Sequence, residues 1–246
     1  MATMKKTAKG DRLTKALKID YTEEENIWLT NSATLRRLIG ILGMALPLLL
    51  WWFLSITSHY NIVLESISHY YYTRAGSIFT IIISLMAIFL IVYKGKDPVD
   101  FYLSFAAGIF ALCVLLFPTS NITETCCQTN FEYSVTFIQP SKFRHNFHYI
   151  SAGIFLGCLA YMSLFIFTRS SIKKIKDRGR TKNISNGIYI CCGIMMLIAM
   201  SIIFSGFLGW IDEAYYTKHH LTYWMEVVAV EFFGLSWLVK GQTIFK

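Results

Sequence analysis

Apolar residues along this chain fall into six long blocks separated by short polar segments. The blocks run at about 38–57, 75–93, 101–117, 147–167, 184–207 and 221–239. Each holds roughly 17–24 residues, enough for a helix at 1.5 Å per residue to cross a hydrocarbon layer of about 30 Å. The pattern predicts an all-α fold, an integral membrane bundle of six transmembrane helices over residues 35–241. Residues 1–34 read as an N-terminal tail, with Thr22 and Glu25 at capping-box spacing for a surface-lying helix. Residues 242–246 form a short C-terminal tail.

Composition agrees. Charged residues are 15% of the chain, against about 25% in soluble domains. The net charge of +8 is unevenly placed. Nineteen of the 23 basic residues lie in the N-terminal segment, in the loops at 94–100 and 168–183, and at the C-terminus. Only Arg74, Lys142, Arg144 and Lys218 lie in the other three loops. The positive-inside rule then puts both termini in the cytoplasm, as an even number of spans requires. The expected location is within a membrane, with membrane lipids as the first partners. No nucleic-acid motif accompanies the charge. The block after Arg36 and Arg37 is too long for a cleaved signal peptide and reads as an uncleaved anchor.

In this frame all six histidines fall at the outer end: His59, His69, His145, His148, His219 and His220. Glu226 and Glu231 are the acidic residues inside an apolar block, and an intramembrane carboxylate is a functional candidate by default. Glu231 is the deeper of the two and is expected to be protonated or paired within the bundle. His219, Tyr223 and Glu226 would form a stripe on one helical face, able to relay protons or hold a cation, or simply to hydrogen-bond a neighbouring helix. Segment 65–73, Glu-Ser-Ile-Ser-His-Tyr-Tyr-Tyr-Thr, sets Ser66, Ser68, Tyr70 and Tyr72 at alternate positions. It can re-enter and line a pocket, or lie on the surface anchored by its tyrosines.

Two histidine pairs, His145 with His148 and His219 with His220, offer ligands for zinc or copper, and interfacial solvation explains them equally. Haem held between His148 and His219 or His220 is a further possibility of the same kind. Cys113, Cys158, Cys191 and Cys192 lie within spans and read as packing residues. Cys126 and Cys127 are adjacent on the outer side, where a mutual bridge would be strained. Gly153 and Gly157 form a GxxxG, expected to bring two helices of the bundle together. Asn121-Ile-Thr123 is a glycosylation sequon, relevant only in a cell that glycosylates.

Several stretches taken together resemble a known group. They are Ser66-Ile-Ser-His-Tyr-Tyr-Tyr-Thr73, Phe117-Pro-Thr119, His148-Tyr-Ile-Ser-Ala152, Ile188-Tyr-Ile-Cys-Cys-Gly193, Trp224-Met-Glu226 and Phe233-Gly-Leu-Ser-Trp-Leu-Val-Lys-Gly241. The chain resembles uncharacterised bacterial six-span membrane proteins, DUF998-like and of the Frag1/DRAM/Sfk1 type. That resemblance implies six spans and points at Ser66, Ser68, Tyr70, Tyr72, His148 and Glu226. It brings no activity with it and leaves His69 as a feature of this chain.

The leading functional expectation is a non-enzymatic membrane protein with an outward-facing polar pocket. It would bind or move a small solute, lipid or proton, or act as a sensor. The alternative is an intramembrane metal-dependent hydrolase with a His/Ser/Glu site at the outer face. It would be similar to the CREST amidases, which use three histidines, an aspartate and a serine around zinc. Against it, no aspartate falls inside a span here.

Overall fold

The computed structural model describes residues 32–95, 97–122, 133–170 and 179–242. The N-terminal tail up to residue 31, Thr123, Cys126, Cys127, the basic run 173–178 and residues 243–246 lie outside them.

The described residues are helical, with no strand beyond one isolated bridge between Thr73 and Ser134. Six long helices correspond to the six apolar blocks. They are α1 (Ser32–Ser58), α2 (Gly76–Val92), α3 (Pro98–Leu116), α4 (Lys142–Tyr161), α5 (Arg180–Phe207) and α7 (Leu221–Lys240). A 3₁₀ turn at Ile67–Tyr72 precedes α2, and the short α6 (Glu213–Lys218) precedes α7. Five of the six are long and apolar enough to span a membrane, while α2 is apolar but has 17 residues.

Helix starts depart from the apolar blocks where capping chemistry intervenes. Helix α3 begins at Pro98, because Asp97 and Asp100 form a capping box and proline suits the first helical turn. Helix α4 begins at Lys142, five residues before its apolar block, because the Ser141 hydroxyl accepts the Arg144 N–H at 3.3 Å. It ends in a π turn over Met162–Ile166, closed by the Phe167 N–H on the Met162 carbonyl at 2.9 Å.

The helices pack as a ring. Each of α1 to α5 contacts the next, and α7 closes the ring between α5 and α1. Large apolar side chains such as Leu48, Trp52, Ile81, Ile88 and Phe204 point outward, as a lipid-facing surface requires. Inside lie Leu46, Leu50, Leu54, Met86 and Phe233. Towards the end that carries the basic loops, Trp237 is fully buried. Tyr93 packs 5.2 Å from its ring and Phe167 5.3 Å, and Phe167 in turn packs 5.6 Å from Tyr189.

Glycines set the closest crossings, but not the pair singled out in the sequence. A Cβ on Gly234 would stand 2.7 Å from the Gly40 carbonyl, and one on Gly40 2.8 Å from the Gly234 carbonyl. Gly108 is equally tight against the Ala87 carbonyl. At Gly153 a Cβ would meet nothing within 4 Å, and at Gly157 only Met200, at 3.8 Å. The expected helix contact through Gly153 and Gly157 is therefore not made. A GxxxG spacing aligns two glycines on one face, but only the packing decides whether that face meets a neighbour.

Candidate functional site

At the histidine end the chain leaves α1, runs through residues 59–66 and turns into the 3₁₀ segment Ile67–Tyr72. Ser66 caps this turn. Its hydroxyl oxygen accepts the His69 N–H at 3.3 Å and lies 2.7 Å from His69 Nδ1. The first amide of the turn is satisfied from elsewhere. The Ile67 N–H donates to Glu226 Oε2 at 2.6 Å, and the Ser68 amide also faces that carboxyl group. Glu226, from α7, thus closes the start of a segment more than 150 residues away in sequence. A buried amide without an acceptor is costly, and a carboxylate is a strong acceptor.

The other sequence candidates in this segment are buried in the same cluster. Ser68 and Tyr70 are inside, and the Tyr70 ring lies 6.2 Å from that of Tyr223. Tyr72 donates to the Thr119 carbonyl at 2.5 Å, and the Tyr72 carbonyl accepts the Val135 N–H at 2.8 Å. Residues on both sides of the connection between α3 and α4, Thr119 and Val135, are therefore tied to the 3₁₀ segment. Arg144 fastens the other side of that connection, donating to the carbonyls of Pro118 and Gln139. Asn121, the sequon asparagine, is engaged at both ends of its amide with the backbone of Ile138.

His148 is buried on α4. Its Nδ1 lies 2.9 Å from the Phe117 carbonyl and 3.3 Å from that of Val114. Two acceptors at one nitrogen fix the proton on Nδ1, so His148 caps the C-terminal carbonyls of α3. His69 is the residue that sequence reading set aside, yet it sits at the centre. It is 5% exposed, with Nε2 3.5 Å from the Ser120 hydroxyl and 3.8 Å from the exposed Glu65 carboxylate. Burial pushes its pKa down to about 4, and the positive charge that His148 and His145 can carry pushes it the same way. His69 is thus neutral at physiological pH, with Nδ1 free to accept the Ser66 hydroxyl proton. Burial also raises the Tyr70 phenol above its ordinary range. In the sequence His69 is marked by its place among the six histidines at this end and within the polar segment 65–73.

Other candidates fall outside this cluster. The expected His219–Tyr223–Glu226 stripe does not form, because α7 begins only at Leu221. His220 adopts a left-handed conformation, φ 48° and ψ 44°, which breaks the helix and leaves His219 as the cap of α6, its ring 4.3 Å from Tyr215. Tyr223 and Glu226 remain on α7, without the histidine. Glu231, expected to be paired within the bundle, is half-buried and makes no hydrogen bond to a described residue. His145 packs its ring 4.8 Å from Tyr149, and His59 is exposed.

A structural or catalytic zinc needs three or four converging donors. Among the described residues, no group of three or more His, Cys, Asp or Glu side chains is placed to hold a metal ion. His145, His148, His219 and His220 are thus not joined into such a group among the described residues, and no hydrolytic step is derived from them.

The histidine end is a network of buried, mutually bonded side chains. A cavity of about 530 Å³ opens at the opposite end of the bundle, beside Arg36, Asp100, Arg169, Lys182, Tyr189 and Lys240. There Arg169 reaches Asp97 at 2.6 Å and buried Asp100 at 3.0 Å, joining the end of α4 to the start of α3. Compared with known proteins, the chain matches no family model, no curated protein and no solved structure.

Proposed function

We propose that this is a six-span inner-membrane protein of bacteria whose outward-facing polar network handles protons, as a sensor or a relay. In this reading α1 to α5 and α7 span the bilayer, with both termini and the basic loops in the cytoplasm. The concentration of basic residues at one end supports that orientation. Helix α2, at 17 residues about 26 Å long, is held between α1 and α3 and needs only slight local thinning of the bilayer. The resemblance of its motifs to those of DUF998-like and Frag1/DRAM/Sfk1-type six-span proteins supports this reading.

One observation carries the functional reading. The Glu226 carboxyl group, on a membrane helix, is the acceptor that holds the 3₁₀ segment carrying Ser66 and His69. A carboxylate accepts an amide hydrogen bond much more strongly than a neutral carboxyl group does. Proton uptake at Glu226 weakens the tie between α7 and segment 59–73. At lower pH, towards about 4, proton uptake at His69 costs the acceptor of the Ser66 hydroxyl. Both events loosen the same outer segment, so the network converts external protons into a movement.

The test is hydrogen–deuterium exchange of peptides covering residues 59–73 in nanodiscs between about pH 5 and 8, beside proton flux in proteoliposomes. Intrinsic chemical exchange is corrected at each pH. Wild type should open this segment as the pH falls, and Glu226→Gln should flatten the response. A relay would add proton flux that Glu226→Gln abolishes. A pH-independent segment together with no flux would overturn the reading.

A further inference from the structure

Halfway along α7 stands a carboxyl group that the bundle does not use. Glu231 is ten residues from Leu221 and nine from Lys240. At 1.5 Å per residue it lies about 14–15 Å from either end of the helix. That places it near the centre of a layer that α7 is long and apolar enough to cross. The side chain is half-buried, and no described residue shares a hydrogen bond or an ion pair with it. Glu226, five residues earlier, is by contrast tied to the Ile67 amide.

Helical spacing sets the direction in which Glu231 points. Val230, Phe233, Gly234 and Trp237 are buried and form the inner face of α7. Trp224, seven residues before Glu231 and on the same side, is 50% exposed. Leu235, four residues after it, is half-buried. Glu231 therefore belongs to the outward stripe of α7. Helix α1, packed beside α7, turns Ile41, Leu48 and Trp52 outward as well. The α1–α7 pair thus offers an apolar face with one carboxyl group in its middle.

Lipid cannot satisfy that group. Ionised, a carboxylate at the centre of a hydrocarbon layer is costly. Neutral, it still carries an O–H donor and a carbonyl acceptor that hydrocarbon leaves without partners. Whatever covers it must bring a donor and an acceptor to the same depth. A second copy of the chain does so by construction. Both copies insert in the same direction, so a two-fold axis along the membrane normal sets Glu231 opposite the partner's Glu231. Two neutral carboxyl groups then exchange two O–H···O bonds, each donating once and accepting once. A contact of this kind is closed and self-complementary, and polar side chains tie membrane helices together in this way.

We propose that this protein forms a two-fold dimer through the outward face of α1 and α7, with the two Glu231 carboxyl groups hydrogen-bonded to each other at its centre. The site is incomplete in either copy alone. It rests on α7 spanning the bilayer and on nothing at the histidine end, so it can fail while the proton-handling reading stands.

The experiment is Förster transfer between donor- and acceptor-labelled copies of the full-length protein in phosphatidylethanolamine and phosphatidylglycerol vesicles, followed as added lipid dilutes the copies. Wild type should follow a monomer–dimer equilibrium. Glu231→Leu, which leaves the face wholly apolar, should need a protein-to-lipid ratio about tenfold higher for the same transfer. Glu231→Gln keeps a donor and an acceptor on the side chain and should stay within about twofold of wild type. A second measurement needs no variant. Dicyclohexylcarbodiimide, a lipid-soluble reagent for protonated carboxyl groups, is applied to wild type at each dilution, and mass spectrometry of the α7 peptide reads modification at Glu231. The dimer should protect Glu231, and dilution should expose it. Wild type that stays monomeric, Glu231→Leu that associates as wild type does, or modification of Glu231 that is independent of dilution overturns the proposal.

Discussion

Acidification should destabilise the protein through His69, and the structure sets the size of the effect. His69 is held neutral by burial, with its pKa at about 4 in place of 6.5. In the unfolded chain the imidazole takes up a proton below about pH 6.5, while the folded protein resists until about pH 4. The unfolded state therefore binds more protons across that window, so stability is full above it and falls as the pH drops through it. Carried down to about pH 4.5, the loss is roughly 2–3 kcal/mol. For a chain of this size that is a fall in Tm of roughly 5–10 °C. The groups facing His69 are Ser66, Ser120, the solvent-exposed Glu65 carboxylate, and the imidazoles of His145 and His148. The assay is intrinsic tryptophan fluorescence during heating at about pH 7.5 and about pH 4.5, for wild type and His69→Gln. Glutamine keeps an acceptor for the Ser66 hydroxyl but cannot titrate. Because other groups titrate in both proteins, the quantity read is the difference between their two pH-induced shifts. Wild type should lose the additional 5–10 °C or so. Parallel shifts in the two proteins would refute the argument that His69 is a buried, neutral base.

Other perturbations test the remaining contacts. Glu226→Ala strips the acceptor from the Ile67 amide and should cost about 1–3 kcal/mol in thermal stability, whereas Glu226→Gln keeps a carbonyl there and should cost much less. Equal losses in the two variants would mean that the amide is satisfied by another group. Arg169→Ala leaves buried Asp100 without its guanidinium and should lower stability by about 1–2 kcal/mol, a modest figure because Arg169 is itself 42% exposed. Asp100→Asn should recover most of that loss in the Arg169→Ala background, and purely additive effects in the double-mutant cycle would rule out coupling. Gly234→Val should sharply reduce the yield of folded protein, since even its Cβ would stand 2.7 Å from the Gly40 carbonyl. Gly153→Val should be tolerated, as its Cβ meets open space. Size-exclusion profiles in detergent would expose a reversed order.

The class of this protein was legible in its sequence, because membrane helices report themselves through a local property. A helix crossing lipid must satisfy its backbone internally and coat itself with apolar side chains, so length and composition reveal it one segment at a time. The six apolar blocks accordingly correspond to α1 to α5 and α7, with capping residues such as Ser141 and Asp97 shifting the starts. The candidate site was legible only in part. Glu226 stood out because a carboxylate in an apolar block is anomalous by itself, and Ser66 to Tyr72 stood out as a polar island between two such blocks. That these two features meet, through the Ile67 amide, is a long-range contact that no local pattern contains.

What the tertiary structure alone decided was which polar groups face one another. His219 is peripheral because a single left-handed residue, His220, turns the chain before α7 begins, and His69 is central because the 3₁₀ turn capped by Ser66 carries it inward. Gly40 and Gly234 meet while Gly153 faces open space, though all three look alike in sequence. Lys182 and Lys240, far apart along the chain, share the Phe167 carbonyl because α5 and α7 are neighbours in the ring and the π turn of α4 ends beside them. The sequence by itself determined how many apolar helices there are and where the basic residues gather, since partitioning between lipid and water acts on each segment separately. The pairing of side chains depended on how those helices pack, which is a property of the whole chain.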